Sequence, residues 1–171
     1  MYKINEGVLK MDHSITNRES FKVIGKSTIV STAAENQFKE LPLFWDKNVE
    51  DGTCDKLAQH ASELGVMGVM FNYKEEEQEM EYMIAIERPV GSPSEFDQLE
   101  LKEIDIPAST WAVFSGQHLS EIKETYEKIY GEWLPSSDYQ HAFLPELETY
   151  DVDQETGEMR GYKIWIPVKE K

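Results

Sequence analysis

The sequence predicts an α+β protein in which two tandem strand-helix-strand-strand modules form one curved antiparallel sheet, with helices on one face and a ligand cleft on the other. Two observations lead to this prediction. Apolar patterns with the period of a strand alternate with patterns of helical period, and the order of elements in residues 21–92 is repeated in residues 98–169. With 171 residues and 40% hydrophobic content, the chain is expected to form a single domain spanning residues 1–171.

The first module opens with a strand followed by a helix. Residues Phe21–Ser31 (FKVIGKSTIVS) are rich in β-branched side chains and predict a strand, for which the weakly alternating segment 2–11 is a candidate partner. From Ala33 onward, apolar residues recur at intervals of three and four, which predicts a helix that Pro42 kinks or divides. The residues that carry this spacing are Phe38, Leu41 and Trp45.

A short helix and a hairpin complete the first module. Residues 55–64 predict the helix. Residues 65–73 and 81–88 are apolar runs that predict two strands, and the charged residues 74–79 between them predict a hairpin turn. Residues 89–94 (PVGSPS) are typical of a linker, which leads to the second module.

The second module repeats this order. Residues 99–106 and 110–116 predict strands, and residues 118–134 predict a helix of about four turns. Residues Glu146–Val152 and 161–169 predict the two final strands, joined by a polar turn. The apolar residues at helical intervals in the long helix are Ile122, Tyr126, Ile129 and Trp133.

The charge balance excludes several classes of partner. The chain has 17 Lys and Arg against 33 Asp and Glu, a formal net charge of -16, so it repels DNA, RNA and anionic membrane surfaces. No segment is long and apolar enough for a membrane span or a signal peptide. The lone Cys54 forms no internal disulfide, which is typical of a reducing compartment. We therefore expect a cytoplasmic protein that binds neither nucleic acid nor membrane.

The sequence contains no recognisable motif for metal, cofactor or nucleophilic catalysis. It has no P-loop, no dinucleotide fingerprint and no nucleophile elbow. Its four histidines are scattered, without a pair at helical spacing. We expect neither a metal site nor a cofactor.

Strand alternation sorts some of the aromatic and acidic residues. Glu146, Glu148 and Tyr150 share one face of their strand, while Trp165 lies on the face opposite the aliphatic residues of the last strand. If that aliphatic face packs under the helices, Trp165 points into the cleft. Composition alone leaves Glu148 open to a second interpretation, as a solvated residue on an exposed face.

Residues 133–150 (WLPSSDYQHAFLPELETY) carry the most specific pattern in the chain. They resemble the C-terminal signature of the GyrI-like, AraC-type effector-binding domain family, in which a helix ends in Trp-Leu-Pro and a Glu stands two positions before a Tyr. Weaker matches at residues 21–25, 43–45 and 80–85 extend the resemblance over residues 21–169. The matching positions of the signature are Trp133-Leu134-Pro135, Ser136 or Ser137, Tyr139, Pro145, Glu148 with Tyr150, and Ile166-Pro167-Val168.

The resemblance implies a cleft between the modules that takes lipophilic, often cationic compounds, with Glu148 at its floor. A carboxylate among ring faces offers an ion pair and cation–π contacts together. Only about twenty residues precede the first matched strand, too few for a helix-turn-helix reader, so we expect a stand-alone binding protein. The candidate wall residues are Trp45, Phe71, Tyr73, Tyr82, Trp111, Trp133, Tyr150 and Trp165.

Three functions agree with these residues. We favour a non-catalytic binder of lipophilic cations. The second function is a small-molecule hydrolase, with Glu148 as general base and Tyr73 or Tyr82 donating a hydrogen bond to the leaving group. The third is a regulator of a protein partner, such as DNA gyrase, contacted through the acidic segment 74–81 (KEEEQEME).

Overall fold

The computed structural model describes residues 11–91 and 93–171. None of the helices in these residues is long and apolar enough to cross a membrane. The helices are α1 (Gln37–Glu50), α2 (Thr53–Ala58), α3 (Ile122–Lys128) and α4 (Leu134–Ser136), with a π-helical segment (Ile129–Trp133) joining α3 to α4. The strands are β1 (His13–Arg18), β2 (Phe21–Ser31), β3 (Met67–Lys74), β4 (Glu79–Glu87), β5 (Lys102–Ile106), β6 (Ser109–Gly116), β7 (Tyr139–His141), β8 (Glu146–Val152) and β9 (Met159–Glu170).

The strands of the described residues form one antiparallel sheet. Eight of them follow the order β1-β6-β9-β8-β3-β4-β2-β5, and β7 pairs with β9. The first half of the sheet contains β2, β3 and β4, and the second half contains β6, β8 and β9 in the mirrored positions. The two halves meet edge to edge where β3 pairs with β8. This arrangement confirms the α+β class and the sheet built from two strand-helix-strand-strand units.

Several element boundaries differ from the sequence prediction for local reasons. Pro42 lies inside α1 without dividing it, since the packing of α1 on the sheet outweighs one lost hydrogen bond. Helix α2 ends at Ala58 rather than residue 64, and Leu64 then enters the core on the far side of the sheet. Strand β5 begins at Lys102 because Glu100, at φ 53°, interrupts the extended conformation.

Strand β1 is absent from the sequence prediction. Its sequence HSITNR is polar and gives no alternating apolar signal. It pairs with β6, so it extends the edge of the second half of the sheet rather than joining β2. Of the segment 2–11 that was predicted to pair with β2, only Met11 lies within the described residues.

The helices cover one face of the sheet. An apolar cluster that contains Tyr82, Ile84 and Ile86 packs against α1 and α2, with Leu57 at its centre. A second cluster, which contains Phe114, packs under α3 and its π-helical continuation. The seam between these two clusters runs along the β3–β8 junction.

The opposite face of the sheet holds a closed apolar core, where the sequence analysis placed the ligand cleft. Trp111 of β6, Val23 of β2 and Ile106 of β5 belong to this one cluster, and all three are 0% exposed. No helical residue belongs to the cluster, and nearly all its members come from strands across the whole sheet, so the sheet itself has to curl to bury them. Side chains of the curled sheet therefore fill the helix-free face. Any cleft for Glu148 has to lie on the helix-bearing face.

Candidate functional site

Strand β8 presents a different chemistry on each of its two faces. Glu146, Glu148 and Tyr150 alternate with Leu147 and Thr149, so the first three share one face, as predicted. Leu147 enters the core on the helix-free face. The carboxylate of Glu148 consequently lies on the helix-bearing face, at the junction where its neighbours across the sheet are β3 and β9.

Glu148 is a buried carboxylate held by two tyrosines. It is 7% exposed. The Tyr126 hydroxyl of α3 donates a hydrogen bond to Oε1 at 2.7 Å, and the Tyr150 hydroxyl donates one to Oε2 at 2.6 Å. Burial raises the pKa of Glu148 above its usual value, and the two tyrosine bonds oppose part of that rise. No salt bridge among the described residues involves Glu148.

Helix α1 contributes a second layer of aromatic side chains. The Trp45 indole N–H donates a hydrogen bond to the Tyr82 hydroxyl at 2.7 Å. The Trp45 ring also meets Tyr150 edge to face, with centroids 5.5 Å apart and planes at 88°. Gly68 of β3, the strand partner of Glu148, makes room for Tyr82, because a Cβ at Gly68 would lie 2.2 Å from the Tyr82 hydroxyl oxygen.

Glu146 has its own set of hydrogen bonds. The Tyr130 hydroxyl and Nε2 of His141 both bond to Oε1 of Glu146, the latter at 2.8 Å. The Phe143 backbone N–H donates to Nδ1 of His141 at 2.8 Å, so Nδ1 is an acceptor and Nε2 carries the proton of a neutral ring. Burial lowers the pKa of His141, consistent with this neutral form. Burial, and then the Glu148 charge, raises the pKa of Glu146 to about 8.

An open cavity of about 1020 Å³ adjoins these carboxylates. Glu146 and its strand partner Met70 line the cavity, and the Met70 sulfur lies 3.5 Å from the Tyr126 hydroxyl. Glu148, which pairs with Gly68, lies two register positions further along and does not itself line the cavity. The remaining lining residues are Thr32, Gln37, Phe71, Asn72, Tyr73, Met80, Lys102, Ile104, Asp105, Tyr130, Leu134, His141, Phe143, Leu144 and Pro145.

The structure brings some of the sequence-predicted wall residues together around Glu148. Trp45, Tyr82 and Tyr150 form the connected group described above. Phe71 and Tyr73 lie at the cavity wall, and Tyr73 is 64% exposed. Neither of these two hydrogen-bonds to Glu148.

The other predicted wall residues lie away from Glu148. Trp111 and Trp165 pack edge to face in or against the core on the helix-free face, with centroids 6.2 Å apart. Trp165 donates its indole N–H to Thr149, which alternation places on that same face. Trp133 packs on Phe114. Trp165 had been expected in the cleft because the cleft was assigned to that face.

The sequence prediction left out two tyrosines and a glutamate that the structure places at the site. Its spacing groups Tyr126 with the apolar residues of the long helix, but its hydroxyl reaches Glu148. Tyr130 stands one helical turn later, and the two rings stack at 6.5 Å. Both additions could have been predicted from the sequence. Tyr126 and Tyr130 have i, i+4 spacing, and Glu146 shares a strand face with Glu148.

The site offers hydrogen bonding and negative charge. No group of three or more His, Cys, Asp or Glu within residues 11–91 and 93–171 is placed to hold a metal ion. Burial raises the pKa of Cys54 to about 11, which keeps its sulfur as a thiol at neutral pH. The chemistry available is that of two carboxylates set among phenols.

Comparison with solved structures shows the same fold in several proteins. SAV2435, solved with tetraphenylphosphonium bound, is 21% identical, with a TM-score of 0.76 over 93% of this chain and 94% of that one. A Staphylococcus aureus transcription-regulation protein is 19% identical, with a TM-score of 0.72 over 93% of this chain and 99% of that one. The Vibrio cholerae integron cassette protein VCH_CASS2 is 14% identical, with a TM-score of 0.62 over 92% and 95%.

Comparison at the level of sequence identifies the family. The chain has no match among curated proteins. The sequence profile of the integron-associated effector-binding proteins, in contrast, matches residues 14–168, which include every strand of the central sheet from β2 to β8 and nearly all of β9. The chain therefore belongs to the family of integron-associated effector-binding proteins.

Proposed function

We propose that the protein binds lipophilic small molecules that carry a positive charge, at the junction of the two halves of the sheet, with Glu148 as the counter-charge. One observation carries this proposal: Glu148 is buried among tyrosine rings and has no ion pair with the described residues. Membership of an effector-binding family supports the binding of a small molecule.

The electrostatics of Glu148 favour a cationic guest. A buried carboxylate without an opposite charge is costly, which is the reason that its pKa is raised. A ligand cation placed beside the carboxylate would stabilise the ionised form and offset part of the free-energy cost of burying it. The formal net charge of -16 also raises the local concentration of cations around the molecule.

The surrounding side chains favour a lipophilic guest with a delocalised charge. Tyr126, Tyr150 and Trp45 offer ring faces and edges near Glu148, and ring faces attract cations. Met70 and Met80 line the adjoining cavity and adapt to irregular ligand shapes. The cavity, at about 1020 Å³, is large enough for a drug-sized molecule.

Access to Glu148 requires a local rearrangement. Both carboxylate oxygens are occupied by tyrosine hydroxyls, and Met70 contacts Tyr126 between the cavity and the carboxylate. A ligand that enters beside Glu146 would displace Met70 or turn Tyr126 before it touches Glu148. A structural relative of the same fold, SAV2435, holds the lipophilic cation tetraphenylphosphonium, which suggests the class of probe.

The test compares a cation with a neutral molecule of similar shape. We expect methyltriphenylphosphonium to bind at least about tenfold more tightly than triphenylphosphine oxide, measured by titration calorimetry. Glu148→Gln should abolish most of this difference, whereas Glu158→Gln, which removes an exposed charge in the turn before β9, should keep it. Equal affinity of the native protein for both compounds, or an unchanged ratio in Glu148→Gln, would overturn the proposal.

The hydrolytic function stays a second proposal because Glu148 and a tyrosine are in direct contact. The contacting tyrosines are Tyr126 and Tyr150, whereas Tyr73 is 64% exposed and the Tyr82 hydroxyl bonds to Trp45. A carboxylate with a raised pKa suits a general base. Product formed from an electrophilic ester by the native protein and lost in Glu148→Gln would support hydrolysis. Binding in one-to-one ratio without product would reject it.

A further inference from the structure

The two glutamates of the site stand at a fixed separation. Glu146 and Glu148 are two residues apart on the same face of β8, so their Cα atoms lie about 6.6 Å apart along the strand. Glu146 lines the open cavity, whereas Glu148 lies two register positions further along β8 and does not line it. A ligand that enters from the cavity therefore meets Glu146 first and Glu148 second.

The hydrogen bonds of Glu146 leave one of its oxygens free for a ligand. Tyr130 and His141 both bond to Oε1, and no hydrogen bond from the described residues reaches Oε2. His141 is held neutral by the Phe143 backbone N–H, so it does not cancel the charge of an ionised Glu146. The outer carboxylate thus keeps one acceptor oxygen that no hydrogen bond from the described residues uses.

The charged groups across the cavity do not neutralise Glu146 either. Lys102 lines the cavity, but its ammonium bonds to Glu81 at 2.8 Å. Asp105, also in the wall, adds negative charge and pairs with Lys22 at 3.2 Å. The charges that face the cavity are therefore acidic or already paired.

An unpartnered acceptor lies in the wall of the same cavity. Gln37, the first residue of α1, lines the cavity, and its buried amide oxygen accepts no hydrogen bond from the described residues. A buried acceptor without a donor is unfavourable, so a ligand N–H placed there would be stabilising. This favours ligands with N–H groups, such as an ammonium or amidinium, over quaternary cations in this cavity.

From this geometry we infer that the site prefers ligands with two positive groups about 7 Å apart, the inner group on Glu148 and the outer, N–H-bearing group on Glu146. The inference rests on the proposed function and specifies its ligand class. A ligand with one positive group leaves one carboxylate unpaired, whereas a ligand with two satisfies both carboxylates. Glu146 is then a specificity-determining residue of the binding site.

The experiment uses two amines that differ by one charge. Para-xylylenediamine is a diammonium at neutral pH with its nitrogens about 7 Å apart, and para-methylbenzylamine is its singly charged counterpart. We expect the native protein to bind the diammonium at least about tenfold more tightly. Glu146→Gln should reduce this ratio to about the statistical factor of two while it retains the monoammonium. Glu148→Gln should weaken both amines, and Glu158→Gln should change neither.

A second measurement on the native protein needs no substitution. Calorimetry in two buffers of different ionisation enthalpy gives the number of protons released on binding. The diammonium should release more protons than the monoammonium near pH 7, because it draws a proton from Glu146 as well. The titratable or charged groups that contact Glu146 or line the same cavity are Tyr130, His141, Glu148, Lys102 and Asp105.

The outcomes separate this inference from the function on which it rests. Equal proton release for the two amines, or an undiminished diammonium preference in Glu146→Gln, would overturn the inference and leave the role of Glu148 intact. Unchanged binding of both amines in Glu148→Gln would overturn the proposed function as well. Loss of the diammonium preference in Glu146→Gln, together with weaker binding of both amines in Glu148→Gln and unchanged binding in Glu158→Gln, would support both.

Discussion

The hydroxyl of Tyr126 donates a 2.7 Å hydrogen bond to Oε1 of Glu148, and this bond ties helix α3 to strand β8 at the junction of the two halves of the sheet. The bond joins a helix of the second half to the strand that pairs with the first half. It holds the helix over the carboxylate that a ligand would have to reach. Stability and ligand access are therefore coupled at one contact.

Tyr126→Phe should lower the free energy of unfolding by about 1–2 kcal/mol near neutral pH. The ring and its stacking on Tyr130 are retained, but the buried carboxylate loses one of its two hydrogen bonds. Urea denaturation measures the change. Tyr139→Phe is the matched control, because Tyr139 stacks on Trp133 and its hydroxyl bonds to none of the described residues. If both substitutions cost the same, the Tyr126 bond does not stabilise the fold.

The stability of the protein should fall as pH rises toward about 8, through the ionisation of Glu146. The pKa of Glu146 is about 8 in the folded chain against 4.5 for the ordinary group, so the folded state retains a proton that the unfolded chain has lost. The group's contribution is fully present below pH 4.5 and is lost as pH rises through the folded pKa. The cost above that pKa is on the order of a few kcal/mol.

Glu146→Gln tests this dependence. The amide does not titrate, so the stability difference between the variant and the native protein should grow in favour of the variant from about pH 5 to about pH 9. Urea unfolding at several pH values gives this slope. Glu158→Gln removes an exposed charge and should leave the native slope unchanged. A difference between Glu146→Gln and native protein that stays constant with pH would contradict the raised pKa.

The sequence predicts most of the elements, although not β1 or β7, and singles out Glu148 as the proposed site residue, because both predictions depend on local patterns. Strand β2 appears with its predicted bounds, and the side chains of β8 divide between its faces as alternation requires. The identity of Glu148 came from the spacing of the family signature, which is also a local pattern. These features follow from residues that are close in the chain.

The curvature of the sheet could not be predicted from the sequence, because it depends on contacts between residues that are distant in the chain. Trp111, Val23 and Ile106 are fully buried without a helix over them only because the sheet curls, and no local pattern in the sequence predicts that. The cleft was consequently assigned to the helix-free face, and Trp165 was assigned to the cleft. Tyr126 was missed for a related reason: an aromatic on the apolar face of a helix has the same spacing whether it fills the core or bonds to a carboxylate.

Gly68→Ala should destabilise the protein by about 1–3 kcal/mol. The added methyl group would lie 2.2 Å from the hydroxyl oxygen of Tyr82, which is 1% exposed and fixed by the Trp45 hydrogen bond. Urea unfolding should show a smaller cost in a Tyr82→Phe background, where the hydroxyl is absent. Gly131→Ala is the control, because open space surrounds that position and alanine favours a helix. A Gly68→Ala cost that is independent of Tyr82 would reject this contact.

Ligand binding should quench the fluorescence of Trp45 and leave that of Trp111 unchanged. Trp45 meets the ring of Tyr150, which bonds to Glu148, whereas Trp111 is 0% exposed in the core on the helix-free face. A cation beside Glu148 would therefore lie near one indole and across the sheet from the other. Titration with methyltriphenylphosphonium in Trp45→Phe and Trp111→Phe separates their signals. Quenching should be largely lost in Trp45→Phe and retained in Trp111→Phe; the reverse would place the ligand on the helix-free face, where the sequence alone had put it.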